Sequence, residues 1–351
     1  MKKTAVALAA FGAMAGAAHA QSNVSLYGLM DLYVGKAITK TTLGAVSTKA
    51  STGAALNSDG LNGSRWGVRG VEDLGGGLKT TFQLESGFNA DDGTSAVAGG
   101  GFNRTSKLGL NGGFGSFEMG RQYTQMFLLI DGFDAQGTSS FSATKAIFGS
   151  TAAKAAGAQA LTTRRDNMLQ YTTPNMGGFT GVAQYAFGEN GAPGISSGHT
   201  TSLSAMYAGG PVAVQGVYEA VKAPGSAGAT AKSTGLGVSY DFTVLKVLAQ
   251  FVNQKDGLAT GKKDSGYVLS MAVPVGSAGS LNAGIGSETT KMTATGADVG
   301  KTTSFGIEYL HSLSKRTTVY AGLSSVKFEK VAVVETTTKD QQYGVGLRHK
   351  F

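Results

Sequence analysis

The sequence predicts an all-β fold, a sixteen-stranded antiparallel transmembrane barrel, from three observations. Apolar and polar residues alternate in runs of strand length, the connections between runs alternate short and long, and the last residue closes one of these runs. That final run sets Tyr343, Val345, Leu347, His349 and Phe351 against Gln342, Gly344, Gly346, Arg348 and Lys350. Five large groups on one face need a cover. Lipid supplies it on the outside of a barrel, with the polar face turned to the lumen.

At the other end, Lys2 and Lys3 precede an apolar, small-residue stretch from Thr4 to Ala17, and Ala18-His19-Ala20 fits the small-x-small rule of a signal peptidase site. Residues 1–20 are expected to be a cleaved signal peptide and residues 21–351 a single exported domain. The apolar stretch falls short of the roughly 20 residues a spanning helix needs. With 54 Gly, 5 Pro and no Cys in 351 residues, there is no disulfide framework and no collagen period, and glycine this abundant disfavours helices. Of the 30 Lys and Arg, Lys2 and Lys3 lie in the leader, so 28 bases face 22 acids, a net charge of about +6. A cationic lumen would attract anions.

Strand patterns run over 23–36, 62–73, 76–89, 102–111, 114–122, 165–173, 178–188 and 199–208, then over 211–222, 232–242, 244–255, 264–273, 279–290, 301–311, 316–329 and 339–351. Short turns such as Asp73-Leu74-Gly75-Gly76, Asn111-Gly112-Gly113 and Pro174-Asn175-Met176-Gly177 join alternate pairs. Longer segments, 37–61, 89–101, 123–164, 189–198, 223–231, 256–263, 291–300 and 330–338, join the others. A soluble sandwich has no reason to place every long loop at one end, whereas an outer-membrane barrel does. Within strands, Val24, Leu26 and Met30 alternate with Ser25, Tyr27 and Asp31, and Leu78, Phe82 and Leu84 with Lys79, Gln83 and Glu85. An inner face carrying Asp31, Lys79, Glu85, Glu308 and Arg348 implies a water-filled interior, because an unpaired buried charge is prohibitively costly.

The segment Gly63-Ser64-Arg65-Trp66-Gly67-Val68-Arg69-Gly70 points Arg65 and Arg69 to the lumen and Trp66 and Val68 to lipid. Arg104, Arg121, Arg164 and Arg165 recur at strand ends flanking the long segment 123–164. A group of guanidiniums on a narrow wall focuses the field and favours anions.

The chain resembles the general porins of Gram-negative outer membranes, specifically the beta-proteobacterial type. The resemblance is carried by Ser25-Leu26-Tyr27-Gly28 with Asp31, Glu72-Asp73-Leu74-Gly75-Gly76-Gly77, Leu84-Glu85-Ser86-Gly87-Phe88, Gly120-Arg121-Gln122-Tyr123 and Gly344-Val345-Gly346-Leu347-Arg348-His349-Lys350-Phe351. It implies passive diffusion of small hydrophilic solutes and ions through the outer membrane without catalysis, while the arginines and the acid-poor segment 139–160 carry the expectation of a weak to moderate anion preference. It implies a homotrimer embedded in outer-membrane lipid, and a C-terminal strand ending on Phe351 that serves as signal to the barrel-assembly machinery. It also implies that the third loop, from Tyr123 to about Thr163, folds into the lumen. There Arg65, Arg104, Arg121 and Arg164 would form the basic side of a constriction, with Arg69, Lys79 and Arg165 secondary and Glu85, Asp131 and Asp134 as the acids. The acidic loop motif of enterobacterial porins is absent, and Ser139 to Ala160 is acid-poor.

The rival classes are a substrate-specific channel, a barrel-embedded hydrolase, and an adhesin or phage receptor acting through its loops. The near match to a phosphate-binding loop at Thr295 to Thr302 lacks the first glycine and a following helix. His199, His311 and His349 lie in separate strands without ligand spacing, so neither metal nor cofactor is expected.

Overall fold

The computed structural model describes residues 23–97, 100–148, 162–188, 198–222, 229–257, 261–330 and 335–351. The expected signal peptide and residues 149–161 of the third loop lie outside the described residues. The strands run β1 (Asn23–Leu43), β2 (Val46–Ser51), β3 (Ala55–Ser58), β4 (Arg65–Gly75), β5 (Leu78–Gly87), β6 (Thr105–Gly112), β7 (Gly115–Tyr123), β8 (Arg164–Thr172) and β9 (Phe179–Phe187). They continue as β10 (His199–Gly209), β11 (Val212–Lys222), β12 (Thr230–Asp241), β13 (Lys246–Lys255), β14 (Lys262–Val275), β15 (Gly279–Met292), β16 (Asp298–Ser312), β17 (Thr317–Lys330) and β18 (Thr336–Lys350). Two of these, β2 and β3, are short pieces folded back on β1; the other sixteen form the barrel wall.

Each wall strand pairs antiparallel with its neighbour, and β1 closes the barrel on β18 from Leu29 opposite Lys350 to Leu43 opposite Thr336. Closure leaves no unpaired edge, which the hydrocarbon layer requires. The outward face is apolar, with Val24 60% exposed and Leu26 66% exposed, and lipid covers it.

Two sequence expectations change. The first strand was expected to stop near residue 36, with 37–61 a loop. Instead the β-branched residues Ile38, Thr39, Thr41 and Thr42 carry β1 on to Leu43, Gly44 takes a positive φ of 56°, and β2 returns along β1. The interior is also drier than expected. Asp31 is fully buried, and its carboxylate accepts from Leu61 N and Asn62 N, both at 2.8 Å, and from the Tyr320 hydroxyl. A charge can leave water when hydrogen bonds replace its hydration.

The segment after β7 supplies the other cover. Helix α1 (Gln125–Gly132) is capped by Thr124, whose hydroxyl accepts from Phe127 N at 3.2 Å. Helix α2 (Ala143–Phe148) follows. Met126, Leu129, Ile130, Phe133, Ile147 and Phe148 form a buried cluster with Val217, Val252 and Val268, which belong to the non-lipid faces of β11, β13 and β14. The loop is pinned there by Ala135 N donating to Ser270 Oγ (3.0 Å), Ser139 Oγ to Glu308 Oε2 (2.7 Å), Ser304 Oγ to Ala143 O (3.0 Å) and Gln250 Nε2 to Ile130 O (3.2 Å). Wall glycines admit this approach. A Cβ on Gly306 would meet Phe141 O at 2.1 Å, one on Gly237 the Phe133 ring at 2.4 Å, and one on Gly322 the Phe141 ring at 2.4 Å.

Candidate functional site

Glu85, on the inward face of β5, is the acid around which the basic residues gather. Arg104 Nε donates to Glu85 Oε1 at 2.8 Å, Arg65 Nε lies 3.9 Å from Oε2, and the Tyr27 hydroxyl donates to Oε2 at 3.0 Å. Strict alternation over 102–111 would put Arg104 on the same face as Leu108 and Leu110. Arg104 precedes β6, with its backbone N–H on Glu85 O at 3.1 Å, so strand parity does not fix its side chain.

Tyr123 joins the two banks. Its hydroxyl accepts from Arg104 Nη2 at 2.9 Å and from Arg164 Nη2, while the Arg164 guanidinium sits 4.0 Å from its ring centroid. The ring stacks on Phe127 of α1 at 5.2 Å and 12°, tying the arginines to the start of the loop. Arg65, Glu85 and Tyr123 line a cavity of about 420 Å³ together with Tyr27, Lys350 and Phe351. Three guanidiniums, on Arg65, Arg104 and Arg164, thus gather about one carboxylate, Glu85, and the phenols of Tyr27 and Tyr123.

The remaining predicted residues occupy other places. Arg69 and Lys79 line a larger polar cavity, about 800 Å³, near the short-turn end, where the Arg69 guanidinium lies 5.1 Å from the Tyr27 ring centroid. Lys107 shares that cavity and pairs with Glu118 at 2.7 Å. Arg121 sits at a bulge in β7, created at Gly120 with φ 125°, where a Cβ would lie 2.1 Å from Ser106 O. Re-aimed by the bulge, Arg121 donates to Asn103 O (2.8 Å) and pairs with Asp166 (2.6 Å). Arg165, the second residue of β8, lies opposite Gln122.

The loop's own acids are engaged within it. Asp134 accepts from Ser142 Oγ (2.5 Å), Thr138 N (2.9 Å) and Gln136 N (3.0 Å), and burial pushes its carboxyl above the usual carboxylate range. Asp131 accepts from Thr138 Oγ1 at 2.7 Å. In α2 the exposed side chain is Lys145, a cation, among buried Ala143, Thr144, Ala146, Ile147 and Phe148.

Sequence reasoning missed Tyr123 as a hub, Tyr27 as the phenol on Glu85, and Lys145. Tyr27 was legible as a lumen-facing residue, whereas Tyr123 and Lys145 depend on how the loop folds. The histidines stand apart: His311 Nδ1 lies 3.2 Å from Tyr309 Oη, His349 Nδ1 lies 2.9 Å from Thr317 Oγ1, and His199 stacks on Tyr185. Phe351 exchanges both backbone hydrogen bonds with Gly28, at 3.0 Å each.

A closed, lipid-faced barrel whose inner wall is polar and arginine-bearing defines a membrane channel. Comparison with known proteins gives the same class. The family model described as Gram-negative porin matches residues 4–330. An outer membrane porin protein of Bordetella pertussis is 32% identical over 409 aligned residues, and outer membrane porin protein 32 of Delftia acidovorans is 33% identical over 374; both comparisons cover all of each chain. The solved anion-selective porin from Comamonas acidovorans is 28% identical with a TM-score of 0.74, covering 94% of this chain and 100% of that one. The chain belongs to the Gram-negative porins. It is an outer-membrane channel for passive diffusion of small hydrophilic solutes and ions, and its family and fold are those of a channel rather than an enzyme.

Proposed function

We propose that the channel favours small anions, and that the three guanidiniums around Glu85 and Tyr123 set this preference. The observation that carries the reading is the charge count at that point: Arg65, Arg104 and Arg164 against the single carboxylate of Glu85. Lys145 on the loop adds a cation where enterobacterial porins carry acids. A small anion passing between loop and wall gains Coulomb energy from groups that stay charged at any physiological pH. Arg69 and Lys79 extend the basic path toward the periplasmic mouth, and Lys107, Arg121 and Arg165 contribute less, the first two being matched by Glu118 and Asp166. Asp131 and Asp134 brace the loop, which narrows the lumen from Thr124 onward.

The same reading includes removal of residues 1–20 on export, a homotrimer in outer-membrane lipid, and engagement of the assembly machinery by the C-terminal strand. The fold carries no catalytic step in this reading. The solved relative described as anion-selective supports the sign of the preference.

The test is the zero-current potential of the reconstituted protein in a KCl gradient. Wild type is expected to report anion preference, and Arg65→Ser with Arg104→Ser to move the potential toward cations while the barrel stays folded. Cation preference in the wild type would show that these arginines do not control the narrowest point.

A further inference from the structure

The tip of the first long loop meets the third loop beside the basic group. After β3, Asp59 takes a φ of 68°, the left-handed conformation that Asn and Asp tolerate best among residues with a Cβ. Three hydrogen bonds hold it there: Asp59 N donates to Asp31 O at 2.9 Å, Ser64 N to Asp59 Oδ1 at 2.7 Å, and Ser140 Oγ to Asp59 O at 2.9 Å. Ser140 also donates its backbone N–H to Gly60 O at 2.8 Å and accepts from Lys145 Nζ at 3.1 Å. The two loops are therefore fastened to each other at Ser140, next to the fully buried Phe141.

The turn brings the other carboxylate oxygen to the basic group. Asp59 Oδ2 and Arg104 Nη1 lie 3.8 Å and 2.8 Å from the point that a Cβ on Gly63 would occupy, so glycine there leaves the space in which both groups stand. The cations acting on Asp59 are Arg104, just before β6, and Lys145, on α2. Among the described residues Asp59 nevertheless forms no ion pair within 4 Å. The acids already described are committed: Glu85 to Arg104 and Tyr27, Asp131 and Asp134 within the third loop, and Asp31 to Leu61 N, Asn62 N and the Tyr320 hydroxyl. Asp59 is half-buried, and a fixed carboxylate beside a narrow aqueous path attracts cations and repels anions along it.

We propose that Asp59 is a selectivity-determining residue of the channel: its carboxylate, presented by the first loop, opposes the anion preference created by Arg65, Arg104, Arg164 and Lys145 and holds it to a moderate level. The first loop thus supplies a charge to the narrow point that the third loop, with its own acids engaged, does not. This rests on the narrow point lying between the third loop and the arginine-bearing wall, and it is separable from the sign of the wild-type preference.

The test is the zero-current potential of reconstituted Asp59→Asn in a KCl gradient, with heat-resistant migration in gels confirming that each variant has folded. Asparagine keeps the acceptor for Ser64 N and tolerates the positive φ, so the substitution removes the charge alone. In water a unit charge changes the local concentration of an ion about 6 Å away by about threefold, in opposite senses for the two signs. The anion-to-cation permeability ratio of Asp59→Asn is therefore expected to rise roughly threefold to tenfold over wild type. Lys145→Gln is expected to lower the ratio by a like factor, and the two substitutions together to return it near wild type. Asp59→Ala, which also gives up the acceptor and the favoured conformation, should match Asp59→Asn in ratio and add open-channel noise. Each shift is read against wild type, so cation preference in the wild type would overturn the arginine reading and leave this one to be decided by the shift. An unchanged ratio in Asp59→Asn, or a shift toward cations, overturns the proposal. So does a shift confined to Asp59→Ala, which would make Asp59 a structural part of the turn.

Discussion

Tyr123 concentrates more of the site's chemistry than any arginine does, because one phenol oxygen accepts from two guanidiniums that would otherwise repel. Removing that acceptor in Tyr123→Phe leaves Arg104 on Glu85 and Arg164 on the aromatic face, both less well placed. A hydrogen bond to a charged donor is worth about 1.5–3 kcal/mol, and the ring contacts persist, so a stability loss near the lower figure is expected in urea unfolding. The zero-current potential should move toward neutrality by less than in the Arg65→Ser, Arg104→Ser double variant. An unchanged potential would mean that the arginines hold their positions without the phenol. At this scale the sequence was informative about which arginines face inward and silent about their partners. Arg65 follows from alternation within β4, whereas the aim of Arg104 depends on its lying before β6 and that of Arg121 on the bulge after Gly120.

At the scale of elements, the loop between β7 and β8 is held by complementary shapes. Met126, Leu129, Ile130 and Phe133 repeat at helical spacing, so the apolar stripe of α1 was present in the sequence. The surface receiving it was not, because the receiving glycines come from strands more than 80 residues away in the chain. Gly306 is the sharpest case. A methyl group there would lie 2.1 Å from Phe141 O and 2.9 Å from Ala143 N, both backbone atoms that cannot swing aside. Gly306→Ala should therefore leave the β15, β16 and β17 pairing intact and displace the loop at Phe141, at a cost of about 1–3 kcal/mol by the usual penalty for overpacking. Single-channel recording is expected to show a changed conductance and greater open-channel noise at unchanged barrel stability toward protease. A conductance identical to wild type would show that the loop is not held by this contact.

Across the whole molecule, the barrel was the most legible feature because two solvents enforce it. Lipid on one face and water or polar partners on the other impose the period of two on every wall strand, and the closing register from Leu29 to Leu43 keeps that alternation, apolar residues of β1 and β18 sharing the outer face. The segments β2 and β3, both folded back on β1, were less legible because they are short and carry no sustained alternation of apolar and polar residues. The closing seam also carries the last prediction. Phe351 exchanges two backbone hydrogen bonds with Gly28, and its ring occupies the space a Cβ on Gly28 would need, with Cζ at 2.4 Å. The ring is 46% exposed, so Phe351→Ala gives up about half the transfer energy of a buried aromatic, roughly 1 kcal/mol. Its backbone hydrogen bonds remain. Refolding into vesicles should then show nearly wild-type stability, since fifteen register pairs still close β1 on β18. If the terminal aromatic is also read by the assembly machinery, the amount of folded barrel recovered from outer membranes should fall several-fold, far more than a stability change of that size explains. Equal recovery of wild type and Phe351→Ala would confine Phe351 to packing at the seam.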